Sequence, residues 1–234
     1  MTAKPEILLE GTYRYFQNDT NYSHENFKLV HIPVPDSFHF YAEILSRIDN
    51  GEFLKVLVRF EMNQQMVANT VRIEKSIGNK YVLETFKLDH YFLELKYTFQ
   101  TAQKVQEFKK TVGSKHFLTS PAFCTSAMFT QSKKMDSVGR TPVTLVSSRN
   151  DWTYDGPPDE KMIYAEFKSR DFAEMKLNES ELSAMHLCLY QHDSNHTPPE
   201  RPVDIFVSKH YGVPYQMNYG DQRIVIKSLK RHGD

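Results

Sequence analysis

The side chains able to do chemistry are few and scattered. His186, His192, Asp193 and His196 form the one dense cluster of candidate metal ligands or general bases, because imidazole nitrogens and carboxylate oxygens both coordinate divalent ions and titrate within reach of neutrality. Three of them fall in a loop rich in His, Asn and Pro, where nothing visible holds ligands rigid. The chain is therefore read as carrying no metal and no cofactor. His186 lies on an apolar segment, where it reads as a hydrogen-bonded core histidine and is counted with the ligand-binding residues. Asp151-Trp152-Thr153-Tyr154-Asp155-Gly156 places the single tryptophan beside two carboxylates and a Pro-rich turn. Trp152 can stack on a ring-shaped or acyl ligand while Asp151 or Asp155 orients a polar end; the simpler alternative is a hairpin with the indole packed on a sheet. Cys124 becomes a nucleophile if a histidine such as His116 lies beside it in space, and is otherwise a structural thiol. Glu43 and Glu84 lie inside strand patterns and can supply an acid and a base, or simply face water. No catalytic residue is assigned from these patterns.

The absences narrow the field. The chain has no phosphate-cradling glycine loop, no dinucleotide fingerprint, no nucleophile elbow and no zinc-protease helix motif. Lys plus Arg equals Asp plus Glu at 29 each, so there is no global electrostatic attraction to nucleic acid or to an acidic membrane. The basic residues Lys227, Lys230, Arg231 and His232 read as a solvated tail. No secretory signal precedes the first strand pattern, and no apolar run approaches the ~18 residues of a membrane-spanning helix. Cys124 and Cys188 match no paired-thiol motif, which favours two free thiols in a reducing compartment. The expectation is a soluble cytoplasmic protein, with a homodimer an allowed assembly.

Chemistry of this kind must be positioned by strands. Leu54, Val56, Val58, Phe60 and Met62 share one parity, with Lys55, Arg59 and Glu61 on the other, the mark of a half-buried antiparallel strand. The same alternation runs through Val71 and Ile73, and puts Tyr91, Leu93, Leu95, Tyr97 and Phe99 on one face. Further strands are expected over 12–17, 27–32, 38–48, 81–88, 105–112, 122–131, 143–148 and 162–168. Asp49-Asn50-Gly51, Gly78-Asn79, Gly113-Ser114 and Asp155-Gly156 supply the turns. The spacing of Leu182, Met185 and Leu189 predicts a helix over 178–191, with a buried strand as its competitor. A closing hairpin is expected from 204–210 and 214–219 through Gly220-Asp221 to 223–229. A single mainly β domain over 1–234 follows, a long antiparallel meander curved into a half-barrel or barrel with one or two short helices.

The ending Val207 to Met217 with Ile224-Val225-Ile226, preceded by Asp151-Trp152-Thr153-Tyr154, resembles the open half-barrels of lipoprotein carriers of the LolA type, an architecture that VioE-like proteins share. The resemblance implies a concave sheet able to hold apolar molecules and transfers no catalytic residue. On this reading a hydrophobic or aromatic small molecule, or a lipid, is held in the concave face by Tyr97, Phe129, Trp152, Tyr154, Tyr164 and His186. Two alternatives stand beside it: a cofactor-independent enzyme acting by orientation and acid-base chemistry, and a protein-interaction module using a sheet edge. A concave face filled by the protein's own side chains would count against both pocket readings.

Overall fold

A computed structural model describes residues 4–48, 51–132, 139–177, 180–191, 202–209 and 211–232. Alternation becomes architecture almost throughout. The strands are β1 (Glu6–Gln17), β2 (Thr20–Ile32), β3 (Ser37–Arg47), β4 (Phe53–Met62), β5 (Ala68–Ile77), β6 (Lys80–Asp89), β7 (Glu94–Thr101), β8 (Val105–Thr111), β9 (His116–Leu118), β10 (Arg140–Ser147), β11 (Asp159–Leu177), β12 (Ser180–Gln191), β13 (Val203–Val207), β14 (Pro214–Tyr219) and β15 (Gln222–Arg231). They form one sheet in the order β8-β7-β6-β5-β4-β3-β2-β1-β15-β14-β13-β12-β11-β10-β9. Every pairing is antiparallel except the short β9–β10 ladder. The first and last strands of the chain meet at its centre through the β1–β15 ladder, Gln17 opposite Gln222 and Leu9 opposite Arg231.

The sheet curves until its two edges approach. Lys110 on β8 reaches Glu160 on β11 at 2.7 Å, and His116 on β9 lies 3.4 Å from the same carboxylate. The barrel-like wall thus closes by side chains rather than by a ladder between β8 and β9. Inside it, Tyr13, Phe40, Phe60, Phe86, Tyr97, Phe99 and Met62 are fully buried. Gly11 makes room for this packing: a Cβ there would stand 2.7 Å from the Phe27 ring and 2.6 Å from the Ser228 carbonyl oxygen. Phe27 in turn stacks on Tyr13 with centroids 5.1 Å apart.

Three expectations are corrected. Residues 180–191 are strand β12, not helix: Leu187 opposes Ile205 and Leu189 opposes Val203 on the core-facing side. Pairing on both flanks, with β11 and β13, overrides a spacing of three to four that a short apolar run can show by chance. Conversely, 122–131 is not a strand. It forms two 3-10 turns, Phe123–Thr125 and Met128–Gln131, whose Phe123, Cys124, Met128 and Phe129 are buried. The short helical elements expected of the fold are therefore present but lie elsewhere. Tyr91 also departs from its assigned face: it is 86% exposed in the β6–β7 turn, where Leu93 takes a positive φ of 51° that breaks the alternation before Leu95, Tyr97 and Phe99 resume it. Among the described residues, no helix is long and apolar enough to cross a membrane.

Candidate functional site

The expected concave pocket is occupied by the chain itself. The 3-10 turns fill the concavity, Phe123 meeting Tyr13 edge-on at 5.0 Å. The void left between Phe60, Ala68, Phe117, Met128 and Phe129 is only about 10 Å³. The plug is held by Glu25, fully buried on β2. Its carboxylate accepts the backbone N–H of Phe123 at 2.7 Å and of Cys124 at 3.0 Å, and the Tyr15 hydroxyl donates to it as well. Burial raises the Glu25 pKa, against the lowering effect of these donors. Burial, with Glu25 beside it, also pushes the Cys124 thiol well above its ordinary range. His116 is engaged by Gly113 and Glu160 instead. Among the described residues no histidine is bonded to Cys124, which is fully buried.

Open volume lies at the rim. A pocket of about 560 Å³ is bounded by the β5–β6 and β7–β8 turns and the loop after β10. Tyr81, Val82, Phe99, Trp152 and Tyr154 make its apolar wall, with Lys80 and Lys104 at its edge. Tyr154 packs on Phe99 with ring centroids 5.8 Å apart. Among the described residues neither lysine has an ion-pair partner, although seventeen such pairs occur elsewhere on the chain.

The loop carrying Trp152 and Tyr154 is clasped from beneath. Asn150, 1% exposed, accepts the Asp155 N–H at 2.7 Å and donates to the Gly156 carbonyl at 3.0 Å and to the Tyr97 hydroxyl at 2.8 Å. Tyr97 donates at 2.6 Å to Glu84, which is fully buried and also accepts from the Ser148 hydroxyl. The second Glu84 oxygen meets the Lys75 ammonium at 2.9 Å, and Lys75 donates to the Asn150 carbonyl at 2.6 Å. A buried carboxylate is tolerable only with this kind of compensation. Burial, and Glu84 beside it, raise the Tyr97 pKa, so the phenol acts as a hydrogen-bond donor.

The six residues expected to bind ligand separate into three places. Trp152 and Tyr154 come together at the rim, with Tyr97 directly below them. Phe129 is in the core, packed near Phe117 at 6.2 Å. Tyr164 and His186 sit on the outer side of β11 and β12, opposite in parity to the buried Ile163, Ala165 and Leu187. Asp151 is 92% exposed and 4.0 Å from Lys75, and Asp155 accepts from Thr153 at 3.3 Å. Glu43 faces outward to Lys55 at 3.3 Å, whereas Glu84 faces inward. His192, Asp193 and His196 lie outside the described residues.

Glu25, Glu84 and Asn150 were the residues sequence reasoning missed as a framework. A signal for the acids existed: Ser23, Glu25, Phe27 and Leu29 share one parity, as do Val82, Glu84, Phe86 and Leu88. A carboxylate on the apolar parity is a buried carboxylate in search of donors.

A second groove of about 540 Å³ lies on the outer face of β1–β5, lined by Lys28, Tyr41, Glu43, Leu57, Arg59, Arg72 and Glu74. Most of its charges are paired: Arg72 with Glu74 at 3.0 Å within the groove, Arg59 with neighbouring Glu61 at 2.7 Å and Glu43 with Lys55 at 3.3 Å. It reads as a solvated sheet face.

An open, strongly curved antiparallel sheet with a plugged interior is a β-barrel-like fold, and known structures agree. No protein-family model matches the chain, and no curated protein matches it. Among solved structures, it is similar to a β-barrel-like protein of the domain of unknown function DUF1849 from Brucella abortus, with a TM-score of 0.61 and 8% sequence identity over 97% of this chain and 98% of that one. At this identity the likeness shows the fold alone. It supports a barrel-like architecture, without favouring the LolA or VioE proteins in particular.

Proposed function

We propose that this protein binds a small molecule with a flat apolar body and an anionic end in the rim pocket, the barrel-like sheet serving as its scaffold. The observation that carries the reading is the convergence of Trp152, Tyr154 and Phe99 on about 560 Å³ beside the ammonium groups of Lys80 and Lys104, which have no ion-pair partner among the described residues. Pockets of roughly 300–1,000 Å³ with aromatic walls and few polar groups suit ligands of this size. A plugged interior favours a compact ring over a long acyl chain, which narrows the lipid option. Acid-base catalysis is the weaker alternative, because Glu84 is fully buried and does not line the pocket, one oxygen accepting from Tyr97 and Ser148 and the other lying 2.9 Å from the Lys75 ammonium. A sheet-edge partner is weaker too: the β8 edge carries Lys109 and Lys110, charges that discourage strand addition. A single cytoplasmic domain with two free, buried thiols completes the proposal.

Trp152 is the sole tryptophan, so its emission reports the pocket directly. Titration with anilinonaphthalene sulfonate, a flat anionic aromatic, should quench Trp152 saturably. Tyr154→Ala should weaken that binding about 10-fold, the loss of roughly one stacking contact. Native mass spectrometry of protein purified from its source should then retain the natural ligand. Unsaturable quenching that Tyr154→Ala leaves unchanged in a folded protein would defeat the proposal.

A further inference from the structure

His186 and Cys188 are two residues apart on β12, so both project from the same side of the sheet. That side faces away from the core cluster holding Leu187 and Ile205. Asp204 on β13 is the direct cross-strand partner of Cys188. The three ligand atoms converge: His186 Nε2 to Asp204 Oδ1 is 2.8 Å, Cys188 Sγ to the same Oδ1 is 3.2 Å, and Cys188 Sγ to Nε2 is 3.6 Å.

A triangle with these sides has a circumscribed radius of about 1.9 Å, just under the ~2.0–2.3 Å bonds that zinc makes to nitrogen, oxygen and sulfur. One ion slightly above its plane reaches all three atoms with little side-chain movement. The imidazole is aligned by stacking on Phe206, 8° from parallel at 4.8 Å, and two paired strands provide the rigidity that a loop site lacks. Cys188 is buried, while the side chains of His186 and Asp204 are 26% and 38% exposed, so the fourth position opens to solvent.

We propose that His186, Cys188 and Asp204 form a binding site for one divalent transition-metal ion, with Zn²⁺ the best match to a nitrogen, sulfur and oxygen donor set. The carboxylate binds as it stands, and the imidazole binds through Nε2 with its remaining proton on Nδ1, the metal taking the place of the proton that Nε2 shares with Asp204. The thiol proton passes to solvent as the metal–sulfur bond forms, and no electron is transferred. The site is independent of the rim pocket and of the ligand proposed there.

The test uses the full chain, stripped with chelator and titrated with Co²⁺, then Zn²⁺. One equivalent of Co²⁺ should produce the near-ultraviolet thiolate charge-transfer band, and Zn²⁺ should displace it. The band should vanish in Cys188→Ser and persist in Cys124→Ser. His186→Gln and Asp204→Asn should each weaken Zn²⁺ binding by more than about 10-fold, with folding checked by circular dichroism. A folded wild-type protein with no band, a band surviving Cys188→Ser, or Zn²⁺ affinity indifferent to all three substitutions would each overturn the site.

Discussion

Glu25 and Glu84 are both fully buried carboxylates on the inner face of the same sheet, yet they are compensated in opposite ways. Glu25 receives two backbone N–H groups and a phenol, and no cation. Glu84 receives a phenol, a serine hydroxyl and the Lys75 ammonium. The first clamps an irregular segment into the barrel interior; the second, through Tyr97, Lys75 and Asn150, clasps the loop that carries Trp152 and Tyr154 over the rim. A long meander has regular ladders and needs little help to hold its strands. Its irregular segments have no ladder, and buried acids supply their hydrogen bonds instead.

The contrast predicts an order of losses. Glu84→Ala should cost about 3–5 kcal/mol, because it strands the Lys75 ammonium in a mostly buried position. Urea unfolding measures this, and adding Lys75→Met should recover much of it. Glu25→Ala leaves unsatisfied neutral donors but no charge, so its cost should be smaller, about 3 kcal/mol. A reversed order would mean that the Lys75 pair is not the dominant compensation. Gly11→Ala, which drives a methyl group into the Phe27 ring and the Ser228 carbonyl, should cost about 1–3 kcal/mol by overpacking. It should leave Trp152 emission unchanged, since it touches neither clamp. Asn150→Ala should cost about 1–2 kcal/mol while weakening dye binding at the rim more than Glu25→Ala does; equal weakening by both would erase the division of labour.

The smallest expected effect is a pH dependence. The Glu25 pKa is raised in the folded protein above its ordinary value of 4.5, so the native state binds the proton more tightly than the unfolded chain. The stability that this tighter binding contributes is complete below the ordinary carboxylate range. It is lost as pH rises from there through the folded pKa. Urea midpoints across that window should therefore fall for wild type relative to Glu25→Gln, which has no such proton to lose. Parallel profiles would show that the hydrogen-bond donors cancel the effect of burial at this carboxylate.

The strand pattern was legible because alternation is local: Leu54 to Met62 and Leu95 to Phe99 announce their inner faces in a few residues each. Trp152 and Tyr154 were legible only as candidate ligand contacts, beside the simpler reading of a hairpin with the indole packed on a sheet; the structure places both along the rim pocket. His186 was legible as a polar residue on an apolar segment, but its partner Cys188 was not, because two residues share a face only once the segment is known to be a strand. Asp204 was still further out of reach, as it meets Cys188 through register between β12 and β13.

The sequence by itself carried the two faces of each regular strand, and the parity of Glu25 and Glu84 with their apolar neighbours although neither was read as buried, because side-chain direction follows from a two-residue period. Tertiary structure alone decided what the inward residues meet. Whether 180–191 joined a sheet or coiled, whether the concavity stayed open or took in 122–131, and which donors reached Glu25 and Glu84 all depended on contacts about 65 to 100 residues apart or on neighbouring strands. Such contacts are won by packing and hydrogen-bond satisfaction over the whole molecule, and no local pattern encodes them.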